Sequence, residues 1–336
     1  MAVRGLQISV SMWFMQALKE QKVVQRVLII AGPTASGKSA LAIAVAREFS
    51  GVIINADSMQ VYKQMNILTA RPPAEDLAKA EHRLYGILNV DDPCSVGRWL
   101  DLAIIEIQTA WVDGKLPIIV GGTGMYLKAL LKGLAPVPKV PSKTRKKATS
   151  LHKKLGGEVF RQELAVIDPK SAIRIPAGDT QRLIRAYEVV DATGQSLSDW
   201  QKNHPSKPPL DALHGVITLL PERDILYDGV NKRFDWMMKN GAMTEVRALD
   251  DLCLDPALPA MKAVGVPELR AVISGEKDLK TAKDDAKRAT RQFAKRQMTW
   301  LRNQLETDLT LSAQYSERLE ADIFSFVGQF MLTKGS

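Results

Sequence analysis

The sequence contains few of the residues on which disulfide-bonded and metal-centred proteins depend. Among its 336 residues are only two cysteines, Cys94 and Cys253, and four histidines. The cysteines have neither metal-ligand spacing nor further cysteines with which to build a disulfide framework, and the histidines form no cluster. A structural zinc site and a secreted disulfide scaffold are therefore excluded, and we expect the cytoplasm, a reducing compartment.

Long hydrophobic runs are also lacking. The apolar stretch LQISVSMWFMQALKE, at positions 6–20, is too short and too often interrupted to span a bilayer. No small-residue cleavage site follows it, so a targeting signal is not indicated. We predict that residues 1–25 are a loosely ordered extension, with Met15 as an alternative start, and that the protein is a monomer without membrane attachment.

Positive charge is in excess: the net charge is +9 and the sequence pI is about 9.4. A basic balance favours a polyanionic partner such as RNA, DNA or an anionic membrane. It does not choose among them, and a solvated surface rich in lysine is the alternative.

Short, continuous apolar segments predict strands at Val27–Ala31, Val52–Asn55 and Leu116–Val120. A helical pattern from Lys38 to Phe49 separates the first two. Strands that are apolar on both faces and alternate with helices are typical of a parallel sheet covered on both sides. The predicted fold class is α/β, with a parallel sheet flanked by helices.

The pattern changes after Pro136. The segment PVPKVPSKTRKKATS is rich in proline and then basic, and helical patterns follow until the apolar segment HGVITLLP at 214–221. We therefore predict a mostly helical insertion at 140–210, which ends in the proline-rich HPSKPPL. The core would comprise 26–139 and 211–310, and residues 311–336 would form a C-terminal tail.

The segment GPTASGKS follows the first predicted strand and opens the first predicted helix, which is the context that a phosphate-binding P-loop requires. Its glycines let backbone N–H groups converge on phosphate oxygens at a helix N-terminus. The predicted phosphate-binding residues are Gly32, Pro33, Thr34, Ala35, Ser36, Gly37, Lys38 and Ser39. Lys38 supplies a full positive charge, and the Ser39 hydroxyl is a candidate ligand of Mg²⁺.

A nucleotide-hydrolysing protein would also show an apolar strand that ends in a magnesium-binding acid. The strand LPIIV ends instead in Gly121-Gly122, and the nearest acid is Asp57, just past the strand VIIN. The phosphates could thus belong to a ligand other than ATP.

Several segments together resemble the tRNA dimethylallyltransferases, also called tRNA isopentenyltransferases. They are GPTASGKS, NADSMQVY, LPIIVGGTGMYLKALLKGL, QRLIRAYEVV and RQFAKRQMTWLRNQ, which occur in the family's order between Val27 and Gln304. The resemblance implies transfer of a dimethylallyl group from dimethylallyl diphosphate to N6 of adenosine 37 in tRNA, with Mg²⁺ as cofactor. No zinc-binding extension follows Leu305, which favours a member of bacterial or organellar type.

The candidate catalytic residues are Asp57, Thr123 and Lys38, and the resemblance assigns roles to the first two. Asp57 would accept the N6 proton, although a carboxylate after a strand could instead bind magnesium or cap a turn. Thr123 would lie at the reaction centre, although it could instead be the N-cap of the following helix. Lys38 would neutralise the leaving diphosphate.

Arginines in PERDILYDGVNKRF are expected to hold the diphosphate. Arg223 and Arg233 match the family's arginines, but Gly229 stands where many members have a third. Which of the two holds the diphosphate is left open by the sequence. Val266 also stands where an aromatic residue is frequent.

The resemblance further implies contacts with tRNA. The predicted residues are Asp57, Ser58, Met59, Gln60, Thr123, Arg145, Gln181, Arg182, Leu183, Ile184, Arg185, Arg291, Lys295 and Arg302. On a helix, Arg288, Arg291, Lys295 and Arg302 fall within an arc of about 60°, roughly opposite Phe293, Trp300 and Leu301. This pattern predicts an apolar face on the core and a basic face towards RNA, with a merely solvated face as the alternative.

Two other functions fit parts of the sequence. A small-molecule P-loop kinase would use ATP and act without RNA, which would leave the basic helix unexplained. A non-catalytic RNA-binding protein would bind tRNA but release no diphosphate. We expect the prenyltransferase.

Overall fold

The structure is a computed structural model that describes residues 24–333. The predicted extension at 1–25 lies almost entirely outside the described residues. Six parallel strands form one sheet in the order β3-β2-β4-β1-β5-β6. They are β1 (Arg26–Ala31), β2 (Gly51–Asn55), β3 (Glu81–Arg83), β4 (Leu116–Gly121), β5 (Leu213–Leu219) and β6 (Leu309–Leu311).

The α/β prediction is confirmed, and the central strands lie where continuous apolar runs predicted them. β1 and β4 are buried along almost their whole length. The two edge strands escaped sequence analysis because each has only three residues and neither is a continuous apolar run: β3 reads EHR and β6 reads LTL. Edge strands contact one neighbour only, so their sequences need not be apolar.

The helices in the described part of the chain are α1 (Lys38–Glu48), α2 (Ala74–Leu77), α3 (Val96–Val112), α4 (Gly124–Lys132), α5 (Ser142–Ile167), α6 (Pro169–Arg174), α7 (Thr180–Thr193), α8 (Leu197–Asn203), α9 (Arg223–Lys239), α10 (Ala242–Asp251), α11 (Val266–Ile273), α12 (Leu279–Gln304) and α13 (Glu320–Leu332). Within residues 24–333, none of them is both long and apolar enough to cross a membrane.

The C-terminal segment is part of the core. Ile323 and Val327 of α13 pack with Leu41 and Val45 of α1 over one face of the sheet, and all four are buried. Burial of a side chain of this size contributes about 1.5–3 kcal/mol to folding. Residues 311–333 are therefore not the separate tail that the sequence analysis predicted.

The chain divides into two compact units, which are residues 24–128 with 210–333, and Ala129–Pro209. The first contains the sheet. The second is helical, as predicted, but it begins at Ala129 rather than at 140. Its own core comprises Phe160, Leu164, Ala172, Ile175, Leu183 and Ala186. Within α5, Gly156 has a φ of 74° and interrupts the helix.

Candidate active site

The predicted reactive residues of the first unit follow three strands of one parallel sheet. The phosphate loop begins directly after β1, Asp57 lies two residues after β2, and Thr123 lies two residues after β4. β2, β4 and β1 are neighbours in the sheet. Because the carboxyl ends of parallel strands meet at one edge, the fold brings these three segments together, as in other open α/β folds.

The phosphate loop has the backbone form of an anion-binding nest. Ala35 and Gly37 both lie in the left-handed region, with φ of 64° and 88°, so successive N–H groups turn towards one point. α1 begins at Lys38 directly after Gly37. The N–H groups of its first turn have no acceptor within the helix, and the exposed Ser39 side chain lies beside them.

Lys38 is held over this loop. Its Nζ donates to the carbonyl of Pro33 at 3.2 Å. Burial of the ammonium and the nearby Arg233 lower the pKa of Lys38 to about 8, and Asp57 partly opposes this shift. Two cations and one carboxylate therefore interact beside the loop. An anionic ligand would relieve the repulsion between the cations.

Asp57 has one fixed and one available carboxylate oxygen. Its Oδ1 accepts from the N–H of Met59 at 2.8 Å and from that of Gln60 at 3.4 Å. Buried Asn55 fixes its backbone through a bond of 2.8 Å to the N–H and one of 3.0 Å to the carbonyl. Within residues 24–333, Oδ2 takes part in no hydrogen bond that the structure gives. Asp57 can therefore cap the turn with Oδ1, as the sequence left open, and still have Oδ2 for a chemical role.

Thr123 contacts the Asp57 loop directly. The Ser58 N–H donates to Thr123 Oγ1 at 3.1 Å, and that hydroxyl lies 3.4 Å from Ser58 Oγ. Thr123 precedes α4, but its hydroxyl is used across the sheet edge, whereas its carbonyl accepts from Tyr126 at 2.9 Å. The structure therefore gives the Thr123 side chain a role other than the N-cap alternative.

The structure distinguishes the two arginines of α9. Arg233 is half-buried and interacts electrostatically with Asp57 and Lys38, and burial lowers its pKa. Arg223 is exposed at the first residue of the helix, with its guanidinium 5.0 Å from the centre of the Tyr227 ring. Arg233 is therefore the better placed for a diphosphate on this loop.

Gly229, where many family members have arginine, also faces the loop. A Cβ added there would lie 3.7 Å from the Ala35 carbonyl oxygen and 3.7 Å from Gln314 Nε2. The departure from the family pattern thus lies beside the phosphate loop itself.

The segment after β6 supports the phosphate loop from outside. Gln314 Nε2 donates to the carbonyl of Ala35 at 3.0 Å, and the Tyr315 N–H donates to that of Ser36 at 3.2 Å. These bonds hold the two peptide groups next to the left-handed residues. Sequence analysis missed Gln314 because it lies in a loop without periodicity, in the region interpreted as a tail.

The other predicted contact residues of the NADSMQVY motif, Ser58, Met59 and Gln60, are half-buried. The Gln60 amide donates to the carbonyls of Thr69 and Ala70 at 2.9 and 3.0 Å, so its side chain fixes a neighbouring turn. Ser58 holds Thr123, as described. The Met59 side chain takes part in neither of these contacts, so of the three it is the one left for a contact with RNA.

The basic face predicted for α12 is present. Arg288, Lys295 and Arg302 are exposed, and half-buried Arg291 donates to Asn231 of α9 at 2.7 Å. Arg288 pairs with Asp285 at 2.6 Å. Of the predicted apolar face, Leu301 is buried, and Phe293 and Trp300 are half-buried. The buried residues are Ala282, Ala286, Ala294, Gln297, Met298 and Leu301.

The helical unit presents some of its predicted RNA-contacting residues at the surface. Gln181 and Arg182 are exposed, and Ile184 is half-buried. Leu183 is wrong as a contact residue, because its side chain is fully buried in the core of this unit. A linear motif on a helix necessarily includes a position that faces inward.

Arg145 and Arg185 share a buried carboxylate that the sequence analysis missed. Glu188 is 2% exposed; its Oε1 accepts from Arg185 at 2.7 Å, and its Oε2 lies 3.9 Å from Arg145 Nε. The side chain of Arg185 is 41% exposed and that of Arg145 is 72% exposed. Glu188 thus orients two predicted RNA-contacting residues while their guanidinium groups stay accessible.

The sequence matches family models over most of its length. The IPP transferase model matches residues 60–304, and the Isopentenyl transferase model matches residues 25–90. The chain belongs to the tRNA dimethylallyltransferase family.

Relatives in this family align over nearly the whole chain. The tRNA dimethylallyltransferases of Paramagnetospirillum magneticum and Rhodospirillum rubrum are 49% and 48% identical to it, over 91% and 92% of this chain and 97% and 96% of theirs. Both are bacterial proteins, in agreement with the predicted type.

Solved structures of the family are similar as well. The tRNA isopentenylpyrophosphate transferase of Bacillus halodurans matches with a TM-score of 0.67 and 30% identity, over 91% of this chain and 97% of that one. A eukaryotic dimethylallyltransferase solved acting on tRNA matches with a TM-score of 0.74 and 25% identity, over 91% of this chain and 80% of that one.

Proposed function

We propose that this member of the tRNA dimethylallyltransferase family transfers a dimethylallyl group from dimethylallyl diphosphate to N6 of adenosine 37 in tRNA. The observation that carries the proposal is the meeting of the phosphate loop, Asp57 and Thr123 at one edge of the sheet. The loop can hold a diphosphate, and an available carboxylate oxygen lies beside it.

The chemistry requires one bond to form while another breaks. The adenine N6 attacks C1 of the allylic diphosphate, the C1–O bond breaks, and its electron pair leaves with the diphosphate. N6 is a weak nucleophile because its lone pair is delocalised into the ring, so its proton must be removed as the bond forms. Asp57 Oδ2 accepts that proton, while Oδ1 stays bonded to the turn.

The leaving diphosphate gains negative charge on the oxygen that had joined it to C1. Lys38, Arg233 and the N–H groups of the phosphate loop stabilise that charge, and they are already in place before the reaction. The Thr123 hydroxyl accepts from the Ser58 N–H and lies 3.4 Å from Ser58 Oγ, to which it donates. When a diphosphate binds, the hydroxyl would turn this hydrogen bond towards the diphosphate and keep the one from the Ser58 N–H. These groups favour the transition state because the charge they meet develops only there.

The donor set fits Mg²⁺ that arrives with the diphosphate. Among the described residues, no group of three or more His, Cys, Asp or Glu side chains could hold a metal ion. Mg²⁺ usually keeps several waters and binds through substrate phosphates with one or two protein oxygens, so the exposed Ser39 hydroxyl beside the loop is sufficient. Bound there, Mg²⁺ would supply further neutralisation of the leaving diphosphate.

The tRNA would be recognised at its anticodon arm, with adenosines at positions 36 and 37. The exposed Lys295 and Arg302 of α12 and the arginines of α7 support contact with phosphate backbone. The cytoplasm is the proposed location, since both cysteines are free and the substrate is tRNA. We propose a monomer, because the phosphate loop, Asp57 and Thr123 meet at one edge of a single sheet.

No specific observation favours the kinase alternative. β4 ends at Gly121, is followed by Gly122 and supplies no acid for magnesium, and the exposed basic residues of α12 have no use in a small-molecule kinase. The non-catalytic alternative gives no reason for an available carboxylate oxygen beside the phosphate loop.

The decisive experiment incubates the purified protein with Mg²⁺, dimethylallyl diphosphate and unmodified tRNA, then digests the RNA and weighs its nucleosides. We expect one dimethylallyl group on adenosine and release of diphosphate. Two parallel reactions contain ATP in place of the prenyl donor, or a tRNA in which A36 is replaced. Phosphoryl transfer from ATP to a small acceptor, or equal labelling of both tRNAs, would contradict the proposal.

A further inference from the structure

A buried glutamine of α12 joins two loops of the proposed site. Gln297 is 6% exposed. Its Oε1 accepts from the N–H of Thr34 in the phosphate loop at 2.9 Å, and its Nε2 donates to the carbonyl of Gly122 at 3.0 Å. The side chain therefore uses both ends of its amide, one on each loop.

The loop after β4 is shaped around this contact. A Cβ added to Gly122 would lie 2.3 Å from Gln297 Nε2 and 2.6 Å from the Gly32 carbonyl oxygen. No residue with a side chain fits there unless the helix or the phosphate loop moves. Gly122 directly precedes Thr123, so the position of the helix determines where the Thr123 loop lies.

We infer that Gln297 is a positioning residue that holds the phosphate loop and the Thr123 loop at a fixed separation for prenyl transfer. The inference rests on the proposed function. The two hydrogen bonds of its side chain go to backbone groups, so it acts through Thr34 and through Thr123, the neighbour of Gly122. A diphosphate bound to one loop thereby lies at a set distance from the hydroxyl on the other.

A polar residue is needed here because the hydrogen bond to Gly122 is buried under α12 and the one to Thr34 is partly buried. Without an acceptor and a donor, the Thr34 N–H and the Gly122 carbonyl would each lack a partner. Glutamine supplies one of each from a single neutral side chain. Glutamate has the same size, but its ionised form offers two acceptors, so it would bond with Thr34 and repel the Gly122 carbonyl.

The test compares Gln297→Glu with Gln304→Glu, which makes the same chemical change at an exposed position on the same helix. Single-turnover transfer should fall by roughly 10²-fold in Gln297→Glu, as expected for reacting groups displaced by about 1 Å. It should be nearly unchanged in Gln304→Glu. The affinity for tRNA should be the same in both variants and in the wild type.

The pH profile separates positioning from mere stabilisation. A protonated carboxyl can donate to the Gly122 carbonyl as the amide does, and burial raises the pKa of a carboxyl above its ordinary value of about 4.3. The rate of Gln297→Glu relative to wild type should therefore rise as the pH falls. If Gln297 only stabilised the fold, its replacement would lower the melting temperature, but the turnover rate of the folded variant would not recover as the pH falls.

A second variant covers the case in which Gln297→Glu does not fold. Gln297→Met keeps the length of the side chain, removes both hydrogen bonds and introduces no charge. We expect a similar loss of turnover, independent of pH. If the wild type is active and the variant that folds turns over as fast, the inference about Gln297 is overturned. If the wild type itself transfers no dimethylallyl group, it is the proposed function that is refuted.

Discussion

The backbone N–H of Ser58 donates to the hydroxyl oxygen of Thr123 at 3.1 Å, which joins the loop after β2 to the loop after β4. Asp57, the proposed proton acceptor, immediately precedes Ser58. Its distance from Thr123 is therefore set by one hydrogen bond and one peptide unit rather than by long flexible side chains.

Replacement of Thr123 by valine should impair both this junction and the chemistry. Valine has nearly the same shape but cannot accept from Ser58, and the partly buried N–H left without an acceptor costs up to about 1–3 kcal/mol. Loss of one preorganised donor to the diphosphate lowers turnover by roughly 10²–10³-fold. Single-turnover rates and melting temperatures check both effects.

Thr123→Ser is the matched control, since it keeps the hydroxyl. It should retain most of the activity. Equal losses in the two variants would mean that the methyl group, and not the hydroxyl, is what the site requires.

Asp57→Asn should separate proton transfer from the structural role of this residue. The amide oxygen can still accept from Met59 and Gln60, so the turn should persist, but an amide accepts no proton at neutral pH. Turnover should fall by ~10²–10⁴-fold. The affinity for tRNA should stay close to that of wild type, because one carboxylate adds little to binding of a polyanion.

Asp278→Asn serves as the control, since Asp278 caps α12 through a bond of 2.9 Å to the Thr281 N–H in the same manner. Its turnover should be unchanged. If tRNA binding by Asp57→Asn falls as much as its turnover, Asp57 is not the base.

The positions of the phosphate loop, Asp57 and Thr123 could be predicted because each follows an apolar strand that its own sequence identifies. Gln297 and Gln314 could not be placed, since their partners in the phosphate loop lie 263 and 279 residues away in sequence. One signal for Gln297 was present: it is a polar residue between Ala294 and Leu301 on the buried stripe of α12. Gln314 has no comparable local signal.

Binding of the diphosphate should weaken as the pH rises above about 8. The pKa of Lys38 is lowered to about 8, chiefly by burial, so the unliganded protein loses this charge at a lower pH than an ordinary lysine would. Below that pH the ammonium is present, whereas above it, binding must take up a proton. The affinity should therefore fall by up to tenfold per pH unit, as measured by calorimetric titration with dimethylallyl diphosphate.

Lys38→Arg provides the comparison, because a guanidinium stays charged throughout this range. The affinity of this variant for the diphosphate should be lower than that of wild type, because a guanidinium does not reproduce the contact geometry of the ammonium. It should nevertheless be nearly independent of pH. The diphosphate itself changes charge near pH 6 and contributes little above pH 7.5. A wild-type profile as flat as that of the arginine variant would show that Lys38 does not titrate near 8.

Neutralisation of Arg291 and Lys295 together should weaken tRNA binding and flatten its dependence on salt. Each phosphate contact that is lost should reduce the log–log slope by roughly 0.7–0.9, because fewer counterions are then released. Binding of dimethylallyl diphosphate should change little, since that site lies on the phosphate loop. Lys38→Ala should show the reverse pattern, with weaker diphosphate binding and unchanged tRNA binding.

The exposed pair Arg47 and Lys79 is the matched control. Both lie near the amino ends of the strands, Arg47 before β2 and Lys79 before β3, at the edge opposite the phosphate loop. If neutralisation of Arg47 and Lys79 lowers the affinity for tRNA as much as neutralisation of Arg291 and Lys295, the basic face of α12 contributes only general charge. If Arg291 and Lys295 can be neutralised with neither affinity nor slope changed, that face is merely solvated and the RNA binds elsewhere.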